Sequence, residues 1–226
     1  MSFGITKNTK TYNWQYLYYF ELELFLASDS LKTLIQYQEE KLDEITKELT
    51  KKIELNNIDS KFDISNPNII LDERLNSALF IYHRYSSLVG IFSMFESNLK
   101  TICEELIKQK KTSKKLTEFN SKKDGYLQNY WNFLNAVYEF RNPKLSQSFD
   151  FIKKRKILRN IITHNNGIAK KNQITEIQNM EYINIITESK QVIIYRHHFL
   201  VNLIDNIDSF FRILLTEINE LENLKK

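Results

Sequence analysis

The sequence predicts an all-α protein: a bundle of four to five main helices with a small β-hairpin ahead of the last one. Three observations lead there. The 226 residues include only 4 Gly and 2 Pro, too little turn chemistry for a sandwich, a barrel or a doubly wound sheet. Hydrophobic residues make up 42% and charged residues 27%, which supplies one sizeable core and excludes bulk disorder. Apolar residues recur at spacings of three and four through several stretches longer than an average helix. At roughly 100 to 200 residues per domain, one domain over 1–226 is expected.

The elements follow in order. Leu31, Ile35, Leu42, Ile45, Leu49 and Ile53 fall at helical spacing with Lys and Glu between them, so 1–57 reads as a long helical extension. Its aromatic first part, Tyr12 to Phe25, is less periodic, and a break is expected near Ser28 to Ser30. Pro67 keeps the polar connection Asn56 to Asn68 out of helix. Asp72 is placed to cap a second helix, whose stripe runs through Leu75, Leu79, Tyr82, Val89, Phe92, Leu99, Cys103 and Leu106. The lysine-rich stretch 108–123 lacks apolar periodicity and reads as an exposed basic loop, either solvated or touching nucleic acid.

Asp124-Gly125 opens an aromatic helix, Tyr126 to Phe140, and Asn142-Pro143 ends it. Ser146 or Ser148 then caps a helix over 148–165, with Ile157, Leu158, Ile161 and Ile162 inward and Asn166-Gly167 as its stop. The β-rich runs Tyr182 to Ile186 and Val192 to Tyr195 predict the hairpin. Leu200, Leu203, Ile207, Phe210, Leu214, Ile218 and Leu221 trace the closing helix, which completes a core over 70–222.

Composition also narrows the function. The single cysteine, Cys103, forms no internal disulfide and reads as a core thiol. No run reaches the ~18 apolar residues of a membrane span, and the N-terminus lacks signal-peptide features, so a cytoplasmic protein without membrane contact is expected. A net charge of +4 permits a polyanionic partner without requiring one. No Gly-rich phosphate loop, Gly-x-Ser-x-Gly elbow, His-Glu-x-x-His pair or zinc spacing occurs. Kinase, hydrolase and metalloprotease readings fall away, and neither a cofactor nor a metal site is expected.

What stands out is Arg159-Asn160-Ile161-Ile162-Thr163-His164, with the imidazole near a helix end. His164 lies about 40° around the helix from Asn160, and Arg159 about 140° from His164. Arg and Asn suit the non-bridging oxygens of a phosphodiester, and histidine beside the free carbonyls of a helix end suits a general acid. RNA supplies its own nucleophile, the 2′-hydroxyl, which permits metal-independent cleavage to a 2′,3′-cyclic phosphate. Seven Arg and four His make the spacing itself a common accident, and a purely structural helix end is the bland alternative.

The segment Leu158-Arg159-Asn160-Ile161-Ile162-Thr163-His164-Asn165-Asn166-Gly167 resembles the signature of the HEPN superfamily: Arg, a polar residue, a short spacer, then His. Phe95-Glu96-Ser97-Asn98-Leu99-Lys100 upstream, and the hairpin and last helix downstream, extend the likeness over about 70 to 220. The resemblance implies a HEPN-like helical bundle that forms a homodimer with two motifs facing each other across a cleft, and commonly metal-independent endoribonuclease activity on RNA. Arg159 would bind the scissile phosphate, Asn160 would be the polar motif residue, and His164 the acid or base. Thr163 and Asn165 flank them as candidate supporting groups. Many members act as toxins or phage-defence effectors with an antitoxin or defence-complex protein as partner; others only bind RNA or scaffold a complex, the alternative reading here. Asn166 stands where members modified by a nucleotidyltransferase antitoxin carry Tyr, which argues against that regulation.

Four other features have two readings each. Glu96 beside the core stripe is a candidate to orient Arg159 or His164, or else lies at the stripe edge in water. His197-His198 with Arg196 reads as surface or capping residues, since neighbours project about 100° apart and no third ligand is near. His83 stands alone on the second helix. The aromatic run Trp14, Tyr16, Tyr18, Tyr19 and Phe20 either packs on the bundle or a partner protomer, or stacks bases.

Overall fold

The structure is a computed structural model that describes residues 12, 14–55, 67–119 and 125–224. Its helices are α1 (Gln15–Leu55), α2 (Pro67–Lys108), α3 (Gly125–Tyr138), α4 (Pro143–Asn165), α5 (Lys171–Ile177) and α6 (His198–Leu224). A short 3-10 helix, Leu116–Phe119, precedes α3. Strands β1 (Ile183–Ile185) and β2 (Val192–Ile194) pair antiparallel, with Ile183 opposite Ile194 and Ile185 opposite Val192. The fold is therefore an all-helical bundle with a small hairpin ahead of the last helix.

The closing helix organises the core. Leu200, Leu203, Ile207, Phe210, Leu214 and Ile218 are all fully buried, as their spacing of threes and fours predicts. Around them α6 packs on α1, α2 and α4. Phe95 of α2 meets the rings of Phe210 and Phe211 edge to face, and Trp131 of α3 stacks on Phe149 of α4 at 4.6 Å. Leu17, Phe20, Leu24 and Ile35 bring the first half of α1 into the same core.

Three boundaries differ from the sequence reading, each for a local reason. First, α1 runs unbroken through Ser28, which is buried against the bundle instead of opening a turn. Second, α2 begins at Pro67, five residues ahead of Asp72. Proline is favoured in the first turn, where its missing N–H had no partner to lose. The rest of the polar connection, 56–66, lies outside the described residues, as does Asp124. Third, α4 begins at Pro143 with Asn142 as N-cap, its side chain accepting from the Lys144 amide at 3.0 Å. Ser146 and Ser148 thus lie inside the helix, and α3 ends earlier, at Tyr138, with Glu139 in the left-handed region at φ 51°. Asn142-Pro143, a stop by sequence, is a start in the structure.

The stripe predicted for α2 holds in part. Phe92, Leu99, Cys103 and Leu106 are fully buried, but Leu75, Leu79 and Tyr82 are exposed. Past Glu39, no described side chain of α1 is buried, nor is any of α2 before Tyr85. The predicted basic loop holds the end of α2 and the 3-10 helix; its Lys111 pairs with Glu222 of α6 at 2.8 Å. The small helix α5 was not foreseen from the sequence.

Candidate functional site

The motif helix α4 changes its buried face halfway. Leu145, Phe149 and Ile152 are buried in the first half, and Leu158 and Ile161 in the second, on sides about half a revolution apart. The flanking Ile157 and Ile162 are half-buried and pack against the same core, so all four residues of the predicted inner face face inward, the outer two partly exposed. On the opposite side of the second half stand Lys153, Lys156, Asn160, Thr163 and His164, within about 100° of one another. The helix carries six Lys or Arg against one Asp, so an anion meets a favourable field along it.

The stop is built as the sequence predicts. Asn166 takes the left-handed conformation at φ 50°, and its amide and that of Gly167 both donate to the Ile161 carbonyl. Gly167 follows at φ 80°. A Cβ there would lie 2.7 Å from Cε2 and 2.9 Å from Cζ of Tyr85, so only glycine fits. The chain then joins the hairpin: the Val192 amide donates to the Gly167 carbonyl, and Ile168 bridges Gln191. Tyr85, buried on α2, donates its hydroxyl to the Val192 carbonyl. The end of the motif helix is thereby wedged between α2 and β2.

Among the motif residues, Arg159 and Asn160 are joined and His164 stands apart. Arg159 Nη1 donates to Asn160 Oδ1 at 3.3 Å, while its buried Nε has no hydrogen-bond partner. His164 is exposed at the last turn. Thr163 is exposed and donates its hydroxyl to the Arg159 carbonyl, a local bond that leaves an oxygen lone pair outward. Asn165 is half-buried, with its carbonyl accepting from the Ile168 amide.

Glu96 contacts neither Arg159 nor His164. It pairs with Lys156 at 2.6 Å, both side chains about four-fifths buried, and so ties α2 to α4 one turn before Asn160. Neither reading of Glu96 anticipated a lysine partner, because the α2–α4 crossing sets it. Arg155, also unforeseen, lies over the Phe151 ring with its guanidinium carbon 3.2 Å from the centroid. Burial lowers its pKa, against the pull of Glu181. Lys153, exposed on the face of Asn160 and His164, is a further cation that the motif pattern did not single out.

A second polar centre was missed altogether. Glu39 of α1, 4% exposed, accepts from Arg84 Nε at 2.7 Å and Nη2 at 2.6 Å. Arg84 Nη1 donates to the Ile194 carbonyl of β2 at 2.9 Å. His83 Nε2 lies 3.5 Å and His197 Nδ1 3.6 Å from the same carboxylate. His83 is therefore not a lone residue, and burial lowers its pKa. The His197 and His198 rings stack at 4.4 Å, because they lie at the helix start, where the spacing of regular helix does not apply. His198 is exposed, as the surface reading has it, and half-buried His197 stands at the N-cap of α6, its carbonyl accepting from the Leu200 and Val201 amides, as the capping reading has it. Of the aromatic run, Trp14 and Tyr16 are half-buried, Phe20 is core, and Tyr18 and Tyr19 are exposed.

Fold and site together define an all-helical bundle with a polar, cationic motif face at the end of its fourth helix. Comparison with family models, curated proteins and solved structures finds no match to this chain. No described helix is long and apolar enough to cross a membrane, and no cluster of three His, Cys, Asp or Glu among the described residues could hold a metal.

Proposed function

We propose that this chain is a metal-independent endoribonuclease of the HEPN type, working as a cytoplasmic homodimer and serving as a toxin or phage-defence effector. The observation that carries the reading is the arrangement of Arg159, Asn160 and His164. An arginine with one buried, unpartnered N–H sits beside a paired amide, with an exposed imidazole one turn on. A guanidinium with spare donors suits a phosphate.

In the proposed reaction, a base removes the 2′-hydroxyl proton, the 2′-oxygen attacks phosphorus, and the bond to the 5′-oxygen breaks as an acid protonates that oxygen. Arg159 and Asn160 hold the non-bridging oxygens as charge builds on them. His164 serves as acid or base, and the motif of a second copy supplies the complementary group. The products are a 2′,3′-cyclic phosphate and a 5′-hydroxyl.

The test incubates wild type and His164→Ala with total RNA and defined tRNA in EDTA and analyses product ends. Cyclic phosphates from wild type alone support the reading, with a loss in the variant of at least about 100-fold. A folded wild type that binds RNA and never cuts it favours instead a non-catalytic RNA-binding or scaffolding module with an antitoxin or defence-complex partner.

A further inference from the structure

The residues that lead into and out of the hairpin gather aromatic rings on one surface. Tyr182 before β1 and Tyr195 after β2 meet edge to face at 5.9 Å. The Tyr182 ring lies 6.0 Å from His198, which stacks on His197 at 4.4 Å. Tyr195 is 48% exposed, and Arg196 and His198 are exposed. Tyr195, Arg196 and His198 thus meet solvent side by side.

Two features show that the arrangement is held in place. Tyr182 adopts φ 62°, a left-handed conformation that an aromatic side chain disfavours, so its surroundings enforce it. The Tyr195 amide, donating to the Tyr182 carbonyl at 3.1 Å, fixes one ring to the other. From beneath, buried Glu39 anchors His197 and, through Arg84, the Ile194 carbonyl.

We infer that Tyr182, Tyr195, Arg196, His197 and His198 form a platform for single-stranded RNA, with one base stacking on the Tyr195 or His198 ring and Arg196 taking the adjoining phosphate. The choice of RNA rests on the nuclease reading above; the chemistry of the surface supports the single-stranded form. Bases expose their faces to aromatic side chains only when unpaired. Arginine beside such rings meets the phosphate and adds cation–π attraction. The position also suits the nuclease reading, since β2 joins the platform at Tyr195 to the motif-helix end at Gly167.

The test measures binding of a short labelled 2′-O-methyl oligoribonucleotide, which lacks the nucleophile and cannot be cut, by fluorescence anisotropy. Tyr195→Ala and His198→Ala should weaken binding about 5- to 100-fold, while Tyr195→Phe retains it and thermal melting of all three stays near wild type. Annealing the probe to its complement should remove the Tyr195-dependent part of its affinity. The inference is overturned if the wild type fails to bind, if Tyr195→Ala binds like wild type, or if duplex and single strand bind alike. Tyr195-dependent binding without cleavage of ordinary RNA leaves the platform standing and the nuclease reading refuted. Cleavage that Tyr195→Ala leaves intact, with unchanged binding, does the reverse.

Discussion

Arg84→Ala tests what the Glu39 centre contributes. In the wild type Glu39 is 4% exposed and receives two charge-assisted hydrogen bonds, of 2.6 and 2.7 Å, from Arg84. Removing one partner of a buried pair costs about 3–5 kcal/mol, because the remaining charge stays desolvated. The lost bond to the Ile194 carbonyl adds about 1 kcal/mol. A total of about 4–6 kcal/mol is a large share of an ordinary domain stability of roughly 5–15 kcal/mol. Urea denaturation at neutral pH reads it directly.

The pH dependence sharpens that test. Burial, opposed by Glu39 and reinforced by Arg84 and His197, holds His83 below its ordinary value of 6.5. The unfolded chain therefore takes up the proton first, so the contribution of this histidine is intact above pH 6.5 and is lost as the pH falls below it. In Arg84→Ala the Glu39 charge faces His83 without the competing cation. The His83 pKa rises, and the loss of stability on acidification shrinks or changes sign. The reasoning is refuted if the variant loses less than about 1 kcal/mol at neutral pH, or if its stability falls with acid as steeply as the wild type's. Glu39→Leu with Arg84→Met should recover much of the loss, since a buried pair replaced as a pair leaves no orphaned charge.

Two substitutions probe the ends of the motif helix. Gly167→Ala should cost about 2–5 kcal/mol in thermal or urea unfolding, the sum of a left-handed alanine and overlap with the Tyr85 ring; Tyr85→Ala in that background should relieve the overlap alone. Asn142→Ala should cost about 1 kcal/mol through the lost cap, whereas Ser148→Ala stays within about 0.5 kcal/mol, and the opposite ranking would restore the start read from the sequence.

Much of the fold was legible because it rests on short-range chemistry. The stop of the motif helix could be read from Asn166-Gly167, since a left-handed cap needs such residues whatever surrounds it. The closing helix could be read from its period. Where local signals were ambiguous the reading failed: Asn142-Pro143 and Asn66-Pro67 each suit the end of one helix or the beginning of the next. Serines at 28–30 suggest a turn until tertiary packing buries Ser28. The motif residues could be selected by spacing, but their surroundings could not, because Lys156 reaches Glu96 only through the crossing of two helices 60 positions apart in sequence.

By itself, the sequence determined the helical class, the hairpin, the closing helix and the line Arg159, Asn160, His164 at a helix end. These follow from periodicity, turn chemistry and angular spacing, which act within a few residues. Only the tertiary structure decided that Glu39, His83, Arg84 and His197 share one buried centre, that Tyr85 wedges the end of the motif helix, and that Tyr182 and Tyr195 meet on the surface. Each joins residues far apart in the chain. Such contacts depend on how long, stiff helices cross, and one residue of register in α1 would turn Glu39 by about 100° away from Arg84.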